Sequence, residues 1–226
     1  MKELWAKIDK SLVESIGLAD GDNLTAELAT ISASYPLPRF PYTAVSPVQG
    51  QFLFVLAKAI QAKRILEVGT LCGYSASWLL RALPVDGCLT TIEHDPAMAT
   101  GAAGAFAQMR GPERVELARE DGVARMRAMI EAGTTPYDMF FIDADQHHNV
   151  EFVEACMALS RPGSLLVLDN VIRAGQVADR GVSNSAVDAT RRVFEMLHCL
   201  GIPVSVIQTV GVKGHDGFLL AVLDGP

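Results

Sequence analysis

The stretch from Arg64 to Leu80 constrains this chain more than any other. It opens as a short apolar run (Ile65, Leu66, Val68) and is broken by Gly69 and Gly73. It then passes into Tyr74-Ser75-Ala76-Ser77-Trp78-Leu79-Leu80, whose apolar residues have helical spacing. That order predicts a buried strand, a glycine turn and a helix. In an open α/β sheet such a turn stands at the carboxyl ends of the strands, where ligands bind. The glycines let a ligand approach the backbone closely, and the first N–H groups of the helix can hold an anionic group.

What the turn lacks narrows the ligand. Gly69-x-x-x-Gly73 has no third glycine and no Gly-Lys-Ser/Thr, so it is neither the dinucleotide fingerprint nor a phosphate loop. Glu67, at the strand end, would repel a pyrophosphate and welcome an ammonium. A second predicted strand, Cys88-Leu-Thr-Thr-Ile-Glu93, ends in an acid 24 residues after Gly69, where a carboxylate can accept both hydroxyls of a ribose. A ligand with a ribose, an amino-acid head and no phosphate satisfies these features, and S-adenosylmethionine is such a ligand. The plainer alternative is a structural strand–turn–helix with two surface acids.

At 226 residues the chain suits one domain, residues 1–226, with a helical cap (1–62) over a core (63–226). No apolar run is long enough to span a membrane, and the charged amino terminus lacks the apolar centre of a signal peptide. A cytoplasmic protein is expected. The formal net charge of −7 argues against nucleic acid as a partner. Cys72, Cys88, Cys156 and Cys199 form no C-x-x-C pair and read as small core residues.

In chain order, Leu4, Ile8, Leu12 and Ile16 recur at i+4 steps and predict an amphipathic helix over 2–16. Asp22 can cap a second helix through Ser34, and Pro36, Pro38 and Pro41 mark a loop or hinge. Ser46-Pro47 predicts the start of a third helix, with Phe52, Val55, Leu56, Ala59 and Ile60 facing the core. Strands at 64–69, 88–93, 113–118, 138–143 and 164–169 then alternate with helices at 75–83, 96–109, 122–132 and 149–160, which implies a parallel sheet. A last helix near 185–200 carries Val187, Val193, Phe194, Leu197 and Leu200. Two apolar runs, 202–208 and 217–223, are joined by a glycine-rich loop and predict a closing antiparallel hairpin.

A second constellation ends the later strands. Phe140-Phe-Ile-Asp-Ala-Asp145 and Leu166-Val-Leu-Asp-Asn170 place acids at the same carboxyl edge. Asp143, Asp169 and Asn170 offer oxygen only, which suits a hard divalent cation: Mg²⁺ first, with Mn²⁺ or Ca²⁺ as alternatives. The competing explanation is that such acids merely cap the helices that follow.

Glu67-Val-Gly-Thr-Leu-Cys-Gly-Tyr-Ser75, Ile92-Glu93, Phe141-Ile-Asp-Ala-Asp145 and Leu168-Asp-Asn-Val171, taken together, resemble the cation-dependent O-methyltransferases of the catechol and caffeoyl-CoA type, and especially their small bacterial members. The resemblance runs from about Thr43 to the end and takes in Gly175-Gln-Val177 and Gly211-Val-Lys-Gly-His-Asp-Gly-Phe218. It implies a class I methyltransferase fold of the α/β class: a Rossmann-like three-layer sandwich on a seven-stranded, mostly parallel sheet with an antiparallel last strand. It also implies methyl transfer from S-adenosylmethionine to a hydroxyl of a small aromatic acceptor, and a homodimer.

The same resemblance implies residue roles. Glu67, Gly69, Tyr74 and Ser75 would line the methionine end of the cofactor, and Glu93 would take the ribose, with His94 beside it. Asp121 and Gly122 would border the adenine, and Val45 would touch the cofactor from the cap. Asp143, Asp169 and Asn170 would hold the cation, with Asp143 also part of the catalytic machinery and Asp145 near the sulfonium. One position departs from the pattern. The family usually has Lys after Asp-Ala-Asp, thought to help deprotonate the substrate, and this chain has Gln146. An amide orients a hydroxyl but takes no proton. His147 and His148 are candidate replacements, or solvated helix-entry residues.

Two rivals follow: a tRNA hydroxyuridine O-methyltransferase, and a cofactor-binding protein whose turnover was lost at Gln146. A serine hydrolase is set aside because Gly73-Tyr-Ser-Ala-Ser77 lacks the last glycine of a nucleophile elbow. A nicotinamide enzyme fails on the glycine pattern. His94, His198 and His215 read as surface or loop residues, and Trp78 as core.

Overall fold

The computed structural model describes residues 1–17 and 44–226. The predicted helix over 22–34 and the prolines at 36, 38 and 41 lie outside them. Seven strands form one sheet in the order β3-β2-β1-β4-β5-β7-β6. They are β1 (Arg64–Val68), β2 (Cys88–Ile92), β3 (Val115–Ala118), β4 (Tyr137–Ile142), β5 (Ser160–Leu168), β6 (Val204–Gly211) and β7 (Gly214–Asp224). The first five pair in parallel, and β7 runs antiparallel to both β5 and β6. The expected hairpin is present, but its loop is only the tight turn Val212-Lys213 between Gly211 and Gly214.

Strand alternation divides the core between the two faces of the sheet. Ile65, Leu89, Met139, Phe141, Leu165 and Val167 point to one face. There they meet α2 (Pro47–Ala59), α3 (Tyr74–Ala82) and α4 (Pro96–Phe106). Leu66, Val68, Phe140, Ile142, Leu166 and Leu168 point to the other, against α5 (Gly122–Glu131), α6 (Asn149–Ala158) and α7 (Ser185–Cys199). Both faces of β1 and β4 are covered, which is why those strands are mostly apolar, Glu67 and Asp138 being their buried exceptions.

The start of α2 is a capping box. Ser46 Oγ accepts from Gln49 N–H at 3.3 Å, and Gln49 Oε1 accepts from Ser46 N–H at 2.8 Å. Its core face is Gly50, Leu53 and Ala57. Val55 and Ala59 face outward instead of inward as expected. The helix is apolar on most of its surface, so its pattern does not single out one face. Gly50 lies against the Trp78 indole, and a Cβ there would sit 2.2 Å from Nε1. Leu200, the last residue of the predicted final helix, caps α7 and is exposed. Of the cysteines only Cys72 and Cys156 are buried; Cys199 is exposed and Cys88 intermediate.

Helix α1 (Lys2–Ser15) buries none of its residues. Leu4, Ile8, Leu12 and Ile16 are all exposed. The helix lies beside the β6–β7 turn, where Asp9 Oδ2 accepts from Val212 N–H at 2.7 Å.

The tightest point of the fold is at the end of β1. Gly69 has φ +100°, and a Cβ there would stand 2.0 Å from the Asp143 carbonyl oxygen at the end of β4. Neither the dihedral nor the space admits a side chain. Gly69→Ala should lower stability by about 2–4 kcal/mol, combining backbone strain with a displaced β4 end. Urea unfolding measures this. A change under about 0.5 kcal/mol, the range of surface substitutions, would mean the two strand ends do not meet this closely.

Candidate active site

A single cleft of about 1650 Å³ opens above the carboxyl ends of β1, β2, β4 and β5. That exceeds the roughly 300–1,000 Å³ of a site for one small ligand, so two can bind side by side. Val45, Gly69, Tyr74, Ser75, Glu93, His94, Asp121, Gly122, Asp143, Asp145, Gln146 and Asn170 all reach its wall. The predicted site residues on it therefore come from six separate segments of the chain.

On the β1–β2 side the wall is built from the glycine turn. Gly73, at φ +86°, precedes α3, whose first residues Tyr74 and Ser75 line the cleft. Glu93 ends β2 with both oxygens held: Oε2 accepts from Leu71 N–H at 2.8 Å and Oε1 from Asp95 N–H at 2.9 Å. Leu71 itself has φ +51°, so the carboxylate pins a strained residue. Two backbone donors fix the carboxylate and leave lone pairs for a ligand's hydroxyls. The His94 ring is largely in solvent, 3.6 Å from Glu93 Oε1. Asp121 caps α5 by accepting from Ala124 N–H at 2.8 Å. A Cβ on Gly122 would be 2.8 Å from Val68 Cγ1, so the helix starts directly on β1.

Glu67 is placed differently from the expectation. It is fully buried behind Ser75 and does not reach the cleft wall. Its Oε2 accepts from Thr91 Oγ1 at 2.6 Å, and Thr91 Oγ1 lies 2.5 Å from Thr70 Oγ1. Oε1 has no partner. Burial pushes the carboxyl up to about 8, against the opposing pull of the Ser75 and Thr91 hydroxyls. The reason is strand parity: Glu67 shares a face with Ile65 under α3, so it fastens the turn from below. Its charge is not offered to a ligand.

On the β4–β5 side, Asp143 lines the cleft while protein encloses its other sides. Desolvation and the nearby Asp216 lift its carboxyl to about 6, against the pull of Lys213. Asp169 is 1% exposed. Its Oδ1 accepts from Asn170 N–H at 2.7 Å, and its Oδ2 has no partner. Burial first, and then the charge of Asp143, raises it well above the usual carboxylate range. Asn170 Oδ1 accepts from Gln146 Nε2 at 3.0 Å and keeps a second lone pair. Two adjoining carboxyls, an orphaned buried oxygen and an amide carbonyl fit a hard cation. Among the described residues no group of three or more His, Cys, Asp and Glu forms a metal cage, so the set depends on Asn170.

The two histidines after Gln146 separate. His147, expected as a candidate base, lies off the cleft wall, its Nδ1 on Asp145 Oδ1 at the surface. His148 lines the cleft, 3.4 Å from Glu151 Oε1. Asp145 accepts from His147 N–H and caps the short turn 146–148.

Three residues at this end escaped the sequence reading: Arg173, Lys213 and Asp216, all on the wall. Asp216 Oδ1 accepts from Ile172 N–H and Arg173 N–H at 3.0 Å each and from Gly217 N–H at 2.9 Å. β7 begins at Gly214, three residues before the apolar run that predicts it, so Asp216 and His215 belong to the strand and not to a loop. His215 lies on β7, with Nε2 2.8 Å from Gln208 Oε1 across the hairpin.

Fold and cleft together define the class: a mostly parallel seven-stranded sheet of the methyltransferase type, with a two-ligand cleft at its carboxyl edge. The chain belongs to the O-methyltransferase family, whose profile matches residues 17–221. It is 37% identical over 222 residues, 98% of both chains, to a catechol O-methyltransferase of Niastella koreensis. It is 38% identical to a catechol O-methyltransferase of Mycobacterium tuberculosis, covering 94% of each chain. The crystal structure of the O-methyltransferase TomG of Streptomyces achromogenes, in complex with SAM, superposes with a TM-score of 0.89 at 38% identity over 99% of both chains. The protein is thus an S-adenosylmethionine-dependent O-methyltransferase by family.

The raised Glu67 carboxyl gives a pH test. Its folded value, about 8, lies above the ordinary value of 4.5, so the native state binds the extra proton. Its contribution is full below the ordinary value and is lost as pH rises through the folded one. The melting temperature should fall between pH 5 and pH 8, and Glu67→Gln should flatten that slope, as read by calorimetry. An equal slope in the variant would show that Glu67 stays ionised.

Proposed function

We propose that this enzyme methylates a hydroxyl of a small catechol-like aromatic acceptor, with a divalent cation, Mg²⁺ first, held by Asp143, Asp169 and Asn170. The observation that carries the reading is the orphaned Asp169 Oδ2, buried beneath the cleft wall that Asp143 and Asn170 form, with the Glu93 carboxylate on the same wall. The two related catechol O-methyltransferases support the acceptor class.

S-adenosylmethionine, when bound, supplies a methyl group already activated on sulfur. The cation supplies a lower proton affinity at an acceptor hydroxyl and a fixed position for it. The remaining work falls to the chain. Glu93 takes the ribose hydroxyls, and Gly69, Tyr74 and Ser75 border the amino-acid head at the start of α3. Asp121, Gly122, His94 and Val45 enclose the adenosine side, and Asp145 stands near the reacting centre. Holding two ligands in line over one sheet edge supplies much of the rate. Gln146 serves as a positioning residue: its amide joins Asn170 to Arg173, and it need not accept a proton.

The acceptor is a small molecule and not nucleic acid, in keeping with the net charge of −7. Four unpaired cysteines suit the cytoplasm. We also read the protein as a homodimer, because Leu4, Ile8, Leu12 and Ile16 of α1 lie exposed, as do Val204, Val206 and Val210 of β6.

Methyl transfer to a catechol panel, with Mg²⁺ and with EDTA, tests the proposal. EDTA and Asp169→Asn should each reduce turnover by about a hundredfold or more, with Asp169→Asn leaving S-adenosylmethionine binding intact by calorimetry. Turnover that persists in EDTA would overturn the cation reading. Gln146→Lys should lower activity about tenfold, since it removes one hydrogen bond to Asn170 and sets an ammonium against Arg173. Restored activity from an inert parent would instead mean that Gln146 is a lesion.

A further inference from the structure

We propose that Arg173 recognises a carboxylate on the methyl acceptor, so that the preferred acceptors are catechols carrying an acid group. The inference rests on the reading of this cleft as an acceptor site and names the kind of acceptor it takes.

Arg173 stands three residues beyond Asn170 in an unusual backbone. Asn170, Arg173 and Ala174 have φ of +59°, +52° and +55°, and Gly175 has +90°. A long side chain at positive φ is uncommon and strained. The turn is held by Asp216, whose Oδ1 gathers the N–H groups of Ile172, Arg173 and Gly217. The Arg173 side chain lines the cleft. Its Nη1 donates to Gln146 Oε1, and Gln146 Nε2 donates onward to Asn170 Oδ1 at 3.0 Å. The circuit closes loosely through Asn170 Nδ2, 3.5 Å from Asp216 Oδ2. The guanidinium is therefore tied to the same amide that would hold the cation.

The free part of that fork has a specific shape. With Nη1 committed to Gln146, the remaining edge is Nε and Nη2, whose parallel N–H groups match a carboxylate bidentately. Nε is buried with no acceptor, and among the described residues no carboxylate pairs with this guanidinium. A charged donor left without its acceptor in a shielded place is costly, and a ligand's anion would relieve it.

Charge at this end sets the sign of the ligand. Asp143, Asp145 and Asp216 line the wall, and Asp169 lies beneath. Lys213 faces the same cluster and partly offsets the rise that burial imposes on Asp143 and Asp169. With the proposed divalent cation bound, these acids still outweigh it and Lys213 by about one negative charge, and Arg173 is placed to balance that charge for an acidic acceptor. A singly charged planar carboxylate suits the fork better than a phosphate, whose second charge the acids would oppose. The cofactor's own carboxylate is a poor occupant. The glycine turn and α3 follow β1, while Arg173 follows β5, two strands away and roughly 10 Å across the sheet.

The test compares 3,4-dihydroxybenzoate with its methyl ester, which keeps the ring and loses the charge. The wild-type enzyme with Mg²⁺ should favour the acid in kcat/KM, chiefly through KM. Arg173→Met should cut that preference about 10–100-fold, and Arg173→Lys should restore only part of it. The preference is a ratio, so a general loss of active protein does not move it. Equal use of acid and ester by the wild type, or an unchanged preference in Arg173→Met, would overturn the proposal. So would a tenfold loss of S-adenosylmethionine affinity in that variant, since Arg173 would then hold the cofactor. If neither compound is methylated, the catechol reading itself has failed. Calorimetry of the S-adenosylhomocysteine and Mg²⁺ complex then decides: binding of the acid that Arg173→Met abolishes supports the proposal, and equal affinity for acid and ester overturns it.

Discussion

Carboxyl groups brought together at the ends of adjacent strands are the constraint on which the rest of this structure depends. Glu67, Glu93, Asp143 and Asp169 close β1, β2, β4 and β5 on one edge of the sheet. Taking such groups out of water is costly unless each is satisfied, and the fold satisfies them unequally. Each oxygen of Glu93 is held by one backbone N–H, while Glu67 is met by one hydroxyl and its buried carboxyl is pushed toward the protonated form. Asp169 keeps an oxygen with no partner. That difference separates a buried fastener (Glu67), a carboxylate fixed on the cleft wall (Glu93) and a pair of carboxyls with an oxygen left unpartnered (Asp143 and Asp169).

The close packing around these acids follows from the same need. Gly69 against the Asp143 carbonyl and Gly122 against Val68 bring turn, sheet and helix into direct backbone contact. The reacting groups are then set by strands and short turns whose dihedrals are fixed by hydrogen bonds, which favours precise alignment. The left-handed run at 173–175 is one such device, since the Asp216 carboxylate holds it in a conformation that local preferences oppose.

Gln146 shows how a departure from a pattern acquires a meaning in three dimensions. In the linear chain it is a missing base. In the fold it joins Asn170 to Arg173, and the positive charge at this end of the cleft comes from two later segments, Arg173 and Lys213. A guanidinium stays charged throughout the working pH range, so it can hold an anion but not take a proton.

The sheet, the glycine turn and the acids at the strand ends were all legible in the sequence, because each is local. A parallel strand buried on both faces is an apolar run, and its carboxyl end is where a glycine or an acid interrupts it. What only the tertiary structure decided was which way each of these groups faces and which distant groups join them. One residue of strand parity put Glu67 under α3 instead of in the cleft. An all-round apolar α2 hid its inward face, so Val55 and Ala59 were misjudged. Asp216 was missed because β7 is antiparallel: its beginning, not its end, lies at the carboxyl edge of its neighbours. A rule read from parallel strands looks for acids at strand ends, and only the assembled sheet brings the start of β7 beside the end of β5.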